Sequence, residues 1–373
     1  MYARIRTYGI MLAALLMTAC SQNETEQQFA SLEPVAISFS CPALTTDNKA
    51  VTRGDAEDAQ LRNTGFGVFA TVGESDYPNL MYNQQVTYTY LADDAQNGYW
   101  SYSPVKYWPM TVDGSGNTVP QTVTFCAYAP YAAATGITGV SPNNVAPYLD
   151  YSLSETLEET VDLLWTCYQP TALGPITFNM YHALTRVAVN VKLKDTNTYK
   201  TATTKVLISK ITLSTTTAVK TGRLKLDDDN TETIESVPYH YPTWTTQTTG
   251  SRTVNILNTD NSDSYGIIAE EIRYIDDLPY SWQPDGLQKD GEGKGVLANA
   301  LCTENRPQAY IYFIPNSSGL TLDCTVYYTL MDDAGNTYKN LSTTQTGVAV
   351  GTPLKGNRTY HLNLIIDPKV PTP

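Results

Sequence analysis

Residues 178–193 read FNMYHALTRVAVNVKL, and this stretch decides the fold class. Val187, Val189 and Val191 stand at every second position, with small or polar residues between them. Successive side chains of a β-strand point to opposite faces, so this spacing places the three valines on one face. Side chains branched at Cβ also favour strands over helices. The stretch therefore predicts a core β-strand.

The same alternation recurs on both sides of this strand. It covers VAISFSC at 35–41, GFGVFA at 65–70, VTFCAY at 123–128, VLISKITL at 206–213 and TYHLNLII at 359–366. Turn signals such as VDGSGN, DDDN and MDDAGN separate the strands. Long helical periodicity is nearly absent, and the acidic stretch SLSETLEETVDLLW is compatible with one short helix or a loop. We therefore predict an all-β fold built of sandwich domains.

The length of 373 residues suggests two domains, each large enough for its own core. Strand patterning stops at the polar run KDTNTYKTATTK and then resumes. We therefore predict an N-terminal β-sandwich domain over residues 34–193 and a C-terminal β-sandwich domain over residues 204–373.

The first 20 residues predict export. Arg4 and Arg6 precede an apolar run at 9–17, which is too short to span a bilayer and suits a signal peptide. Thr18-Ala19-Cys20 then resembles a bacterial lipobox. We expect a signal peptide over 1–19, lipid on the sulfur and amine of Cys20, and a lipid-anchored linker over 20–33. The alternative is an ordinary secretory signal followed by a chance cysteine.

Composition and motifs argue against several classes of function. The formal net charge of −13 gives no electrostatic footprint for nucleic acid. His182, His240 and His361 form no metal-ligand or catalytic motif, and His182 is interpreted as a packed, hydrogen-bonded residue. The run Asp227–Asn230 is read as a solvated turn rather than a calcium loop. We expect no catalytic residue, no metal and no cofactor.

If Cys20 carries lipid, an odd number of cysteines remains. These are Cys41, Cys126, Cys167, Cys302 and Cys324. None shows a CxxC spacing, so zinc and redox motifs are not indicated. Cys126 and Cys324 are interpreted as buried thiols that act as small apolar side chains. A bridge between Cys302 and Cys324 stays open.

Several stretches together resemble the fimbrillin family, the type V pilins and related Gram-negative surface lipoproteins. They are, in order, the lipobox, VAISFS, GFGVFA, SPVKYWP, VTFCAYAPY, DLLWTC and FNMYHALTRVAVNVKL. The resemblance implies two tandem transthyretin-like Greek-key β-sandwich domains and a fimbrial subunit that acts in cell adhesion. It also implies an outer-membrane lipoprotein precursor, which an arginine-specific protease cuts after the first strand. A strand from another pilin subunit then fills the groove that is opened.

The required parts can be placed on this chain. Residues 34–53 are the candidate removable strand and propeptide, with Arg53 and Gly54 at the expected cut in AVTRGD. The side chains expected to plug the groove are Val35, Ile37, Phe39 and Cys41. The candidate donor strand carries the alternating residues Tyr360, Leu362, Leu364 and Ile366. The same strand also suits a terminal strand that stays in its own domain.

Other interpretations remain open. In one interpretation, the loop at Arg53 is left uncut. In another, Arg53-Gly54-Asp55 acts as an adhesion tripeptide. Arg62 is a second candidate cut site, close to the next strand. The alternative function is a surface lipoprotein that does not polymerise and binds glycans through exposed aromatic side chains such as Trp244, Tyr280 and Trp282.

Overall fold

The described part of the chain is built mainly of β-strands, which confirms the predicted all-β class. The computed structural model describes residues 33–40, 43–46, 49–50, 61–92, 94–131, 136–155, 160–194, 205–234, 237–257, 267–268, 288–289, 295–296, 311–331, 334 and 336–367. Residues 61–64 are helical. Within these ranges, no helix has the length and apolarity needed to cross a membrane. Val35–Pro373 forms one compact unit; of the other unit, Met1–Pro34, residues 33 and 34 are described.

The strands before residue 194 are β1 Ser38–Phe39, β2 Ala43–Thr46, β3 Lys49–Ala50, β4 Phe66–Val72, β5 Met81–Leu91, β6 Asp94–Ser101, β7 Met110–Val112, β8 Thr118–Pro120, β9 Val123–Ala129, β10 Ile137–Val140, β11 Tyr148–Ser152, β12 Leu164–Tyr168, β13 Pro175–Ile176, β14 Asn179–His182 and β15 Thr185–Leu193.

The later strands are β16 Lys205–Ile234, β17 Val237–Leu257, β18 Ile267–Ile268, β19 Gln288–Lys289, β20 Gly295–Val296, β21 Ile311–Phe313, β22 Leu320–Met331, β23 Thr337–Gly351 and β24 Thr359–Ile366. β16 and β17 form a long antiparallel hairpin, and β22 pairs with both β16 and β23.

An eight-stranded sheet with the order β3-β2-β14-β12-β9-β4-β5-β6 organises the first half of the chain. Alternation along β9 sends its side chains to two different cores. Phe125, Ala127 and Ala129 enter the first core, whereas Cys126 and Tyr128 enter the second. The two faces that the sequence predicts for VTFCAY are therefore confirmed.

The first core lies on one face of this sheet. Its buried members are Ile37, Phe39, Phe66, Val68, Ala70, Met81, Val86, Trp100, Trp108, Val123, Phe125, Ala127, Ala129, Ile176, Phe178 and Met180. The second core is larger and receives side chains from three sheets. They are the other face of the eight-stranded sheet, the seven-stranded sheet of β16, and the sheet with the order β21-β15-β24.

Within residues 178–193, strand β15 joins the two halves of the chain. β15 lies before the predicted boundary at residue 193, yet it pairs with β21 and in parallel with β24. Val187 and Val189 are buried in the second core, as the alternation predicts. The domain limits 34–193 and 204–373 and the tandem transthyretin-like arrangement stay predictions.

The predicted turn at residues 227–230 is wrong, because this run lies inside β16. The pairing of β16 with β17 shifts register between Lys225 and Asp229. A bulge of this kind admits extra residues without ending the strand. Burial raises the pKa of Asp229, and His240, whose Nδ1 lies 2.9 Å from Asp229 Oδ2, opposes that rise. The polar run is therefore a bulge within a continuous strand and not a turn.

A bidentate ion pair links β11 to β16 and leads to a prediction for acid stability. Arg223 donates from Nε and Nη2 to the Asp150 carboxylate at 2.8 and 2.9 Å. These bonds, with a smaller contribution from Gln247, lower the pKa of Asp150. A carboxyl with a lowered pKa stabilises the fold above its unfolded value of about 3.9, and this stability is lost as the pH falls through the folded value.

We expect Asp150→Asn to lower the free energy of unfolding by about 0.5–1 kcal/mol at pH 7, since the pair is partly exposed to solvent. The difference from the unsubstituted chain should shrink towards zero as the pH falls below 3. Urea unfolding at several pH values measures it. A difference that is constant down to pH 2 would contradict the assignment of the effect to this carboxylate.

Candidate functional site

The N-terminal segment, residues 35–40, lies between two other parts of the chain. On one side, Trp108 donates its backbone N–H to the Val35 carbonyl, and Ile37 donates to the Lys106 carbonyl, both at 2.9 Å. The two stretches run antiparallel, with Ala36 opposite Tyr107. Two main-chain hydrogen bonds thus join residues 35–37 to residues 106–108. Another extended strand could make the same bonds, whatever its side chains.

The second half of this segment turns to a different partner. β1 pairs in parallel with β13, where Phe39 stands opposite Ile176. Ser40 donates its N–H to the Ile176 carbonyl at 2.9 Å, and the Tyr102 hydroxyl donates to the Ile37 carbonyl at 2.8 Å. The segment therefore fills a slot with a polar, hydrogen-bonding rim on both sides.

Apolar side chains fill the floor of the slot. Ile37 is 2% exposed and Phe39 is 6% exposed, and both belong to the first core. Val35 is 42% exposed, so the side chain of this predicted plug does not enter the floor of the slot, although its carbonyl is bonded to the rim. Cys41, the fourth predicted plug, lies outside the described residues. The structure thus brings Ile37 and Phe39 together in the slot and leaves Val35 at its mouth.

Phe39 lies among four aromatic rings. Its ring centroid is 5.5 Å from Tyr102, 5.6 Å from Phe178, 5.8 Å from Phe66 and 6.3 Å from Phe125. Edge-to-face and offset contacts at these distances stabilise more than area burial alone does. Departure of Phe39 would therefore remove a contact from each of these four rings.

The chain after the slot continues along the edge of the eight-stranded sheet. β2 pairs in parallel with β14, and β3 pairs with β2 at the end of the strand order. Removal of β2 and β3 would make β14 the edge strand. The six remaining strands of the sheet would stay continuous. Removal of residues 35–40 would leave unpaired backbone groups at Lys106, Trp108 and Ile176. Of the described strands before residue 51, β1 is thus part of the slot filler, and β2 and β3 form the outer margin of the sheet.

The predicted donor strand is β24, and the structure places it in a sheet of its own chain. It is the last strand in the order β21-β15-β24. Leu362, Leu364 and Ile366 are buried in the second core, whereas Tyr360 is half-buried and donates its hydroxyl to the Pro353 carbonyl at 3.1 Å. The alternation predicted for this strand is therefore present, in the conformation of a terminal strand.

The residues expected to be modified or cut lie outside the described residues: Cys20, Arg53 and Gly54. Arg62, the second candidate cut site, is in the helical stretch 61–64, where its guanidinium lies 4.9 Å from the centre of the Tyr88 ring. A packed, helical arginine is a poor protease substrate because a protease needs extended, accessible backbone.

The histidine and tryptophan side chains considered as candidate sites are held by hydrogen bonds within the fold. His182 is buried, with Nδ1 2.5 Å from Asp162 Oδ2 and Nε2 3.3 Å from Arg186 Nη1, as expected for a packed histidine. Across the described part of the chain, no three His, Cys, Asp or Glu side chains are arranged to hold a metal ion. Trp244 donates its Nε1–H to the Ala183 carbonyl at 2.9 Å and packs on the second core. It therefore offers no flat exposed platform for a sugar, whereas Tyr280 and Trp282 lie outside the described residues.

Several slot residues were not singled out by the sequence analysis. These are Phe66, Tyr102, Lys106, Ile176 and Phe178. Their alternation was visible, but alternation does not say which strands face one another. The structure buries Trp108 against Phe125, whereas Tyr107 is exposed.

Comparison with known proteins identifies a matching family and several solved structures with similarity to this chain. A family model described as fimbrillin-like matches residues 52–373. A fimbrial protein from Bacteroides vulgatus is 22% identical, with a TM-score of 0.52 over 90% of this chain and 96% of that chain. Candidate cell adhesion proteins from Bacteroides uniformis and Bacteroides ovatus are each 13% identical with TM-scores of 0.40, covering 90% and 89% of this chain and 93% and 92% of theirs.

No curated protein matches the chain. The Bacteroides vulgatus protein shares the fold, and the family model covers residues 52–373 of the 373 in the chain. The chain belongs to the fimbrillin-like family.

Proposed function

We propose that this chain is a fimbrial subunit exported as a lipoprotein precursor, cut after Arg53 and polymerised by donor-strand exchange. Family membership supports a fimbrial or adhesion role at the cell surface. The observation that carries the proposal is the slot. Residues 35–40 fill it with Ile37 and Phe39, and the described strands before the proposed cut belong either to the slot filler or to the outer margin of the eight-stranded sheet.

The free energy of burial in the slot favours its refilling by a new strand once residues 35–40 have left. Burial of a side chain such as Ile37 or Phe39 contributes about 1.5–3 kcal/mol each. Once the segment leaves, the rings of Phe66, Phe125 and Phe178 would line an open apolar groove. A groove of this kind with unpaired backbone groups on its rim favours a new extended strand.

β24 is the proposed donor. It carries three buried residues at alternate positions, and in this chain it is an edge strand, so its release would not split a sheet. Main-chain bonds would supply affinity, and Leu362, Leu364 and Ile366 would set the register in the neighbouring slot. The partners are other subunits of the pilus, an arginine-specific protease, and the outer membrane through lipid on Cys20. An adhesion target on host or bacterial cells completes the proposal.

The charge and the described polar clusters support a structural role rather than catalysis or nucleic-acid binding. The net charge of −13 opposes contact with phosphate backbones. His182 is used internally by Asp162 and Arg186. The protein is thus proposed to act by pairing its strands with those of other subunits.

The test uses the purified chain from Ser21 onward, treated with an arginine-specific protease. We expect a stable product that begins at Gly54 and forms ladders on unboiled gels, because each emptied slot accepts a strand from another copy. N-terminal mass spectrometry of material sheared from cells should find the same terminus. A product that stays monomeric and is retarded in oligosaccharide affinity gels would instead support the non-polymerising glycan binder.

A further inference from the structure

Cys126 and Cys167 face each other in the middle of the eight-stranded sheet. β9 and β12 are antiparallel neighbours, and their register places Cys167 opposite Cys126, with Trp165 opposite Tyr128 on the same side. Residues directly opposite each other share a face and have neighbouring Cβ atoms. Both sulfurs are free thiols in this structure. We infer that Cys126 and Cys167 form a cross-strand disulfide under oxidising conditions.

The backbone geometry suits this bridge. Opposite residues of an antiparallel pair have Cα atoms about 4.5–5.5 Å apart. Disulfides connect Cα atoms that are about 4.4–6.8 Å apart. The Cα spacing expected for this register therefore falls within the range that a disulfide spans. A hydrogen bond with Cys167, together with burial, raises the pKa of the Cys126 thiol, which agrees with two thiols in contact.

The bridge lies on the face away from the slot. Cys126 is 4% exposed in the second core, and Cys167 packs against the same core. Phe125 and Ala127, on either side of Cys126, enter the first core. The disulfide would thus join the two central strands without occupying the groove. The inference stands on the β9–β12 register and does not depend on donor-strand exchange.

The chemistry is thiol–disulfide exchange with a small or protein disulfide, RSSR. The Cys167 thiolate, on the more exposed residue, attacks one sulfur of RSSR and releases one thiolate, RS⁻. The Cys126 thiolate then attacks the Cys167 sulfur of this mixed disulfide and releases the second RS⁻. The two protons from the cysteines go to the two RS⁻ groups. Two cysteine thiols and RSSR are thereby converted into one protein disulfide and two molecules of RSH.

Closure would constrain a part of the chain that crosses between sheets. Residues 127–166 contain β10 and β11, which belong to the seven-stranded sheet of the second core. Closing a loop of this length removes conformational freedom from the unfolded chain. The bridge would therefore stabilise the connection between the two largest sheets.

Refolding of the chain from Ser21 onward in a buffer of reduced and oxidised glutathione tests the inference. Free thiols are then alkylated, and the protein is cut with trypsin and a glutamate-specific protease. Cleavage after Glu155 separates the two cysteines in sequence, so a bridge keeps the two peptides joined. We expect this joined pair, with a melting temperature about 5 °C above that of the fully reduced chain.

The double variant Cys126→Ser/Cys167→Ser should lose the difference in melting temperature between oxidised and reduced samples. The variant Cys324→Ser, which removes another buried thiol, is the matched control and should keep the difference. Full alkylation of both Cys126 and Cys167 after refolding in the glutathione buffer would overturn the inference. So would a peptide in which Cys126 is joined to a cysteine other than Cys167.

Discussion

Arg53→Gln should leave the chain uncut and monomeric under conditions in which the unsubstituted chain is processed completely. Glutamine keeps a polar side chain of similar length but lacks the guanidinium that an arginine-specific protease binds. Without the cut, residues 35–40 stay in the slot, and the groove between Lys106–Trp108 and β13 stays closed to another strand. The loss of Gly54 N-termini and of gel ladders should be nearly complete.

Arg62→Gln is the matched control for this substitution. Arg62 is the next arginine along the chain, and its guanidinium packs over the Tyr88 ring. Its replacement should leave both the cut at Gly54 and the ladders unchanged. The proposal would be contradicted if Arg53→Gln still gave a chain that begins at Gly54, or if Arg62→Gln were the variant that abolished assembly.

The all-β class was predictable because alternation survives in most strands. VTFCAY shows this well, since its two sets of side chains enter two separate cores, as a period of two requires. The strand TYHLNLII behaves in the same way, with Leu362, Leu364 and Ile366 buried. A residue's face depends on local backbone geometry, so sequence alone could give it.

What sequence could not give is the pairing of distant strands. β15 was placed in an N-terminal domain, yet it pairs along its length with β24. The run Asp227–Asn230 looked like a turn, because Asp and Asn favour turns, but the long hairpin of β16 and β17 absorbs it as a bulge. Tertiary pairing overrides local preference in both cases.

The slot was half-predictable for the same reason. The alternation of VAISFSC identified Ile37 and Phe39 as buried side chains, and both are. It also selected Val35, which alternation alone cannot distinguish from them, but this side chain is exposed at the mouth of the slot. The aromatic lining of Phe66, Phe125 and Phe178 comes from three separate strands, whose meeting depends on the sheet order.

Phe39→Ala should lower the free energy of unfolding of the uncut chain by about 3–5 kcal/mol. The substitution removes a ring with aromatic contacts on four sides and leaves a cavity among rings held by rigid strands. Urea unfolding followed by tryptophan fluorescence measures the loss, since Trp100 and Trp108 lie in the same core. The measurement uses the chain from Ser21 onward.

Val35→Ala is the control within the same segment, because Val35 is 42% exposed and should cost less than 1 kcal/mol on replacement. After a cut at Arg53 both positions are gone, so products that begin at Gly54 should be indistinguishable between the two variants. Equal and small losses for both substitutions would show that the segment contributes little to the fold. Donor-strand exchange would then lose its driving force, because a strand that stabilises nothing leaves no groove that another strand needs to fill.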